Sequence, residues 1–276
     1  MTPRFLPYLF LTLATLFWSG NFVIGRGVHA VVPPVALSFW RWLVALLIVL
    51  PFAIRPAWRE RALIVKHWRF LTLQGVLGVT GFNTLVYLGL QSTGAINAVV
   101  VNSTIPVIIV FVSFLIYGER ISLRQGVGGL VSFCGVTLIV SHGAPSDLFD
   151  LDANIGDLWI LAAALTWASY SVFLRHYPQV LHPLVFLLVI MVIGLIALIP
   201  FYAWEHLSGR SIQFDQTTVI SVLYVAIFAS VLAFIFWNRA VRWVGAYRAG
   251  IFVHLMPVFA TILAILFLDE RLYPYH

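Results

Sequence analysis

Residues 183–204 read PLVFLLVIMVIGLIALIPFYAW, a stretch without one charged side chain. At 1.5 Å of rise per residue, a helix of that length spans ~30 Å, the thickness of a bilayer's hydrocarbon core. It is apolar on every side and has no face to offer to water. Outward from it the pattern repeats, giving nine charge-poor spans at about 6–25, 35–54, 70–90, 95–117, 124–141, 156–174, 183–204, 217–238 and 247–268. The composition agrees. Of 276 residues, 62% are hydrophobic and 9% charged, against roughly 25% charged in a soluble domain. The mean hydropathy is +1.00. These values predict an all-α, polytopic membrane protein. They exclude a soluble enzyme, a nucleic-acid-binding module and a disulfide-stapled secreted domain. Cys134 has no second cysteine to pair with and is read as a small packing residue.

The charges fall between the spans and predict an orientation. With the N-terminus inside, the cytoplasmic side receives Arg4, Arg55, Arg59, Arg61, Lys66, Arg69, Arg120, Arg124, Arg175, Arg239, Arg242 and Arg248. The opposite side receives Arg26, Arg210 and Arg271, beside an acidic stretch with Asp147, Asp150, Asp152 and Asp157. This positive-inside bias predicts a cytoplasmic N-terminus in the cytoplasmic membrane. The net charge of +6 then meets lipid headgroups, and no nucleic-acid partner is needed to explain it. The apolar stretch after Arg4 runs to about Gly25, too long for a signal-peptide core and without a small-x-small cleavage site.

The chain also repeats itself. A shift of 151 lays Gly94-Ala95 on Gly245-Ala246, Ala98 on Ala249, Pro106 on Pro257 and Glu119-Arg120 on Glu270-Arg271. A shift of 149 lays Leu16, Trp18 and Arg26 on Leu165, Trp167 and Arg175. The unit, residues 1–142, holds five spans, so its second copy, residues 143–276, enters the membrane upside down. Inverted repeats of this kind are a transporter architecture, with the substrate site near the midplane between the halves. The second copy shows four spans, and a tenth span is expected beyond its end.

Three stretches carry a family likeness: Leu16-Phe17-Trp18-Ser19-Gly20-Asn21-Phe22; Phe39-Trp40-Arg41-Trp42-Leu43-Val44-Ala45-Leu46; and Thr93-Gly94-Ala95 with Ile105-Pro106-Val107 and Tyr117-Gly118-Glu119-Arg120. The last recurs at Met256-Pro257-Val258 and Asp269-Glu270-Arg271. The chain resembles the ten-helix, two-domain exporters of the drug/metabolite transporter superfamily. Its many aromatic residues make it look most similar to the aromatic and neutral amino-acid exporters. The resemblance implies export of small metabolites without a cofactor, and an arginine at position 41 whatever the substrate.

Polar side chains within spans mark pathways by default. Candidates for lining a substrate cavity are Trp18, Asn21, Asn83, Tyr87, Asn102, Ser103, Trp167, Tyr170, Trp237 and His254, each with a simpler reading as helix-packing or interfacial residue. Span eight adds Ser230 and Asn238 to this polar stripe. Pro106 and Pro257 lie near mid-span, as hinges or fixed bends. Gly126, Gly128, Gly129, Ser132 and Gly135 give span five a small-residue face for close packing. Arg41 is the one charge plainly inside a span. It could hold a substrate carboxylate, or it could snorkel outward or bond helix carbonyls and stack on its neighbouring tryptophans. No acidic residue lies well within a span, and no metal site is read. The expected function is alternating-access export of neutral or aromatic amino acids, as a uniporter. The alternative is export of other metabolites or drugs, with His254 carrying a proton. An intramembrane hydrolase using Ser19 and His254 is the weaker rival, because no nucleophile-elbow pattern accompanies them.

Overall fold

The computed structural model describes residues 5–118, 123, 126–128, 130–131, 134–135 and 154–273. Among these, eight helices are long and apolar enough to cross a membrane. They are α1 (Leu6–Gly27), α2 (Pro34–Arg59), α3 (Trp68–Gly89), α4 (Ala95–Tyr117), α5 (Ile155–His176), α6 (Pro183–Leu207), α7 (Gln216–Val244) and α8 (Ala246–Leu268). The remaining expected span, 124–141, falls mostly outside the described residues. Cys134, which does fall within them, is exposed rather than packed. Gly126, Gly128 and Gly135 meet nothing within 4 Å of where a Cβ would stand, so these glycines carry no close packing among the described residues.

The helix starts follow from local chemistry. Pro34 and Pro183 open α2 and α6 at the first helical position, where a missing N–H costs nothing. Asn154 accepts a hydrogen bond from Gly156 N at the head of α5, and Asp215 from Thr218 N at the head of α7. The Thr218 amide also holds the exposed Asp215 carboxyl below its ordinary value. Two helices run past their expected ends. Helix α2 continues to Arg59 and α7 to Val244, because basic residues are favourable in a last turn and their stems reach the headgroups.

The helices are tied end to end. At one end of the bundle, Glu205 accepts from Val35 N (3.1 Å) and Ala36 N (2.7 Å), two first-turn amides of α2 that lack helical partners. Glu270 does the same for Ala95 N (2.8 Å) and Ile96 N (3.0 Å) at the head of α4. Arg26 Nη1 donates to Leu90 O there, and Asn154 Nδ2 to Ser92 O. At the other end, His182 N donates to Glu60 Oε2 (2.9 Å) and Tyr117 bonds His176 (2.7 Å). Helices α2 and α6 thus lie antiparallel, each with a glutamate near its end on the start of the other. Tyr117 and Asn154 sit at opposite ends of the bundle.

Four helices are irregular. A π-helical turn occupies Val76–Gly81 in α3 and Val225–Leu232 in α7. Helix α4 breaks at Ser103–Thr104, and α8 narrows to a 3₁₀ turn at Phe252–His254. Pro106 and Pro257 stand in the first turn after these interruptions, where proline's lost donor is harmless. Outward-facing side chains are large and apolar, including Phe52, Leu115, Ile196, Phe201 and Phe267, as lipid requires.

Candidate functional site

The polar side chains buried between the helices form a column, and Arg41 stands near one end of it. It lies two turns into α2, ~10 Å from that helix's start, with no part of its side chain exposed. Its Nε donates to Ser230 Oγ (2.8 Å), and its Nη1 to Asn21 Oδ1 (2.9 Å) and Tyr87 OH (2.6 Å). Tyr87 OH donates in turn to Asn21 Oδ1 (2.6 Å). The guanidinium lies 5.2 Å from the Trp42 ring centre and 5.6 Å from that of Tyr87, within cation–π reach. Of the readings open for Arg41, the snorkelling one is excluded. The side chain points inward, and its bonds go to side chains rather than to helix carbonyls.

Ser230 reaches Arg41 because the π turn of α7 carries it. Its hydroxyl is bonded to Val225 O, five residues back, and the neighbouring carbonyl of Ala229 accepts from Trp18 Nε1 (3.0 Å). A π turn adds one residue to the helix and re-aims the groups around it, which is why such turns recur at functional positions.

Next along the column come the aromatic rings. Trp18 meets Trp167 edge-on (4.9 Å between centres) and Trp237 at a tilt (5.2 Å). Trp167 stacks on Tyr170 (4.9 Å, 23°) and packs on Phe82 and Phe234. Trp237 Nε1 is buried without a hydrogen-bond partner, as is Arg41 Nη2. Tyr170 OH donates to Asn238 Oδ1 (2.8 Å). Asn238 also lines a cavity of about 260 Å³ with Tyr177, His182, Arg239 and Arg242, at the end of the bundle where Glu60 meets His182. Burial pushes the Tyr177 hydroxyl up to about 12, against the pull of Arg242, whose guanidinium lies 4.5 Å from the Tyr177 ring centre. A second polar cavity, of about 430 Å³, opens at the opposite end among Arg26, Asn97, Asp269, Glu270 and Arg271.

The structure therefore brings together six of the ten expected cavity residues: Trp18, Asn21, Tyr87, Trp167, Tyr170 and Trp237. The other four bond elsewhere or lie exposed. Asn83 donates to Gly78 O within its own helix, Ser103 to Val100 O, and Asn102 makes a long contact to Met256 Sδ (3.8 Å) with its Oδ1 unpartnered. His254 is exposed. Ser19 donates to Thr15 O (2.7 Å) and Met256 O (3.3 Å), neither of which is a base. Among the described residues no cluster of three potential metal ligands exists. Arg41, Ser230, Phe234 and Asn238 join the column beyond those ten. A charge within a span flagged the first, and the polar stripe of span eight flagged Ser230 and Asn238.

The column draws on both halves of the chain, and the halves match one family separately. Residues 5–141 and residues 154–276 each match the EamA-like transporter family. Relatives over nearly the full length include YetK of Bacillus subtilis, an uncharacterized transporter, 30% identical over 95% of this chain and 80% of its own. An uncharacterized transporter of Archaeoglobus fulgidus is 29% identical over 96% of this chain and 90% of its own. A crystal structure that covers 99% of this chain and 92% of its own shares the fold, with a TM-score of 0.67 at 20% identity. With two matched halves that together span most of its length, the chain is an integral membrane transporter and belongs to the EamA-like transporter family.

Proposed function

We propose that this protein exports neutral and aromatic amino acids across the cytoplasmic membrane by alternating access, as a uniporter with its N-terminus in the cytoplasm. The observation that carries the reading is the buried column itself. It pairs aromatic faces (Trp18, Trp167, Trp237, Tyr170) with amide and hydroxyl groups (Asn21, Ser230, Asn238) and contains no carboxylate. Rings of this kind suit an apolar side chain, and the polar groups suit an amino-acid backbone. An acid-free column lacks the usual intramembrane proton relay, which favours flux down the solute's own gradient.

The two halves are read as inverted copies of a five-helix unit. Both carry a π turn in the corresponding helix, and both carry a break just before the corresponding proline. Rocking of one copy against the other would expose the column first to one side and then to the other. Access from the cytoplasm would pass the 260 Å³ cavity and part the Tyr170–Asn238 bond.

Counterflow of labelled phenylalanine and threonine in proteoliposomes, with no imposed ion gradient, tests this reading. Saturable exchange is expected, with Trp167→Ala raising the KM for phenylalanine more than that for threonine. Exchange that appears only under a proton gradient would replace uniport by proton coupling. Exchange of neither solute would overturn the amino-acid reading.

A further inference from the structure

Arg41 carries a charge that no described residue neutralises. Each of its three hydrogen-bond acceptors is neutral: a serine hydroxyl, an amide oxygen and a phenol. The buried acids are engaged elsewhere, Glu205 with the head of α2 and Asp157 with Thr93 Oγ1 (2.5 Å). A guanidinium keeps its proton in proteins, so the charge cannot be shed as a buried lysine's can. Isolated charges away from water are costly, and buried ones are ordinarily paired.

The way Arg41 is held is also informative. Nε and Nη1 are saturated, which fixes the plane of the fork, while both N–H groups of Nη2 are buried with nothing to bond. A purely structural arginine at membrane depth would turn those donors to helix carbonyls or extend toward headgroups. This one is clamped on one edge and free on the other. Trp18 Nε1 donates to Ala229 O, the residue before the Ser230 that holds Arg41 Nε, so the aromatic column begins beside the clamp.

We infer that Arg41 Nη2 is the receptor for a carboxylate on the transported solute, and that the solute class is a monoanionic or zwitterionic acid with an apolar body. The inference rests on reading the column as the substrate site. Asn21, Tyr87 and Ser230 are positioning residues that hold the fork in plane. The carboxylate supplies the missing counter-charge, and the apolar body lies on the tryptophans.

The test uses three probes that share one ring: L-phenylalanine, phenylacetate (acid without amine) and phenethylamine (amine without acid). Each is added to the purified protein, and its effect on the melting temperature and on phenylalanine counterflow is read. Phenylalanine and phenylacetate should stabilise the wild type and compete in counterflow, with phenethylamine at least tenfold weaker. Arg41→Lys should lose at least tenfold in affinity for both acids. Asn21→Asp covers the case in which that variant fails to fold. It sets a built-in carboxylate beside Nη1, so it should melt higher than wild type and no longer respond to phenylacetate.

Equal competition by phenethylamine, or an unchanged response to phenylacetate in Asn21→Asp, would overturn the inference and leave the amino-acid reading standing. Conversely, phenylacetate could stabilise the wild type but not Arg41→Lys or Asn21→Asp while neither amino acid exchanges. The acid receptor would then stand and the amino-acid reading fall. If neither acid stabilises the wild type nor competes, the acid receptor is wrong.

Discussion

The two π turns, Val76–Gly81 in α3 and Val225–Leu232 in α7, are the same irregularity put to different use. In α7 the turn faces the site and hands it two groups, Ser230 Oγ to Arg41 and Ala229 O to Trp18. In α3 the turn hands no group to Arg41 and packs. Gly75 lies against Ile190, a Cβ on Gly78 would stand 2.7 Å from the Tyr170 ring, and Gly194 of α6 leaves room for Val79. Its freed carbonyl is bonded locally, Gly78 O by Asn83. One turn takes part in the site and the other braces Tyr170 from behind. A π turn is a way of re-aiming groups, and its role depends on what it is aimed at.

The largest effect that separates the two is expected from Gly75→Val. The Cβ would lie 2.9 Å from Ile190 O and 3.1 Å from the Ile193 side chain, and backbone cannot move aside. Overpacking a tight core costs ~1–3 kcal/mol even where side chains can shift. The expected outcome is little folded protein by size-exclusion in detergent, whatever the assay of transport. The α7 turn, Val225–Leu232, holds no glycine, so it offers no position where adding a Cβ would meet a neighbour's backbone.

Ser230→Ala comes next and should do the opposite. It removes one bond to a buried charge, an interaction worth ~1.5–3 kcal/mol. The protein should fold with a lowered melting temperature, and solute affinity should fall about tenfold or more, because the Arg41 fork is no longer held in plane. Unchanged affinity at reduced stability would mean that the α7 turn also only braces.

Much of this layout was legible in the residues, and the limits were physical. Spans are set by length and charge, so the eight described helices match their expected positions closely. Their ends drifted where Arg59 and Arg242 extend a helix that no longer needs to be apolar. Glycine spacing could not separate a face that packs from one that does not. Gly126, Gly128 and Gly135 look like a contact stripe and touch nothing described, whereas Gly75 and Gly194, unremarked in the sequence, make a close crossing. Helical periodicity could not tell which polar side chain the preceding π turn would engage. Asn83, Tyr87 and Gln91 share a face in an ideal helix, yet Asn83 turns back to its own backbone while Tyr87 reaches Arg41. Arg41 showed as a charge out of place, but its inward pose depends on Asn21, Tyr87 and Ser230, from three other helices.

Asn83→Ala sharpens the comparison at lower amplitude. It strips Gly78 O of its side-chain donor and should destabilise by ~1 kcal/mol. Counterflow should keep its affinity and change only in the fraction of active protein. That is the signature of a brace, and it would set Asn83 apart from the six candidates in the column.

The smallest effect is expected at Thr80, on the other side of the same turn. Its hydroxyl donates to Gly194 O (2.9 Å), a side chain-to-backbone bond between α3 and α6. Hydrogen bonds between membrane helices average ~0.6 kcal/mol by double-mutant cycles, because the alternative partners in lipid are never far. Valine fills the same volume, so Thr80→Val removes the bond without opening a cavity. A melting shift near the limit of measurement is expected, with affinity and exchange rate unchanged. The stability of the brace then resides in the Gly75–Ile190 and Val79–Gly194 contacts rather than in its polar bonds. A large loss of exchange rate in Thr80→Val at unchanged affinity would reverse the assignment, because it would mean that α3 slides on α6 during transport and that this bond times the movement.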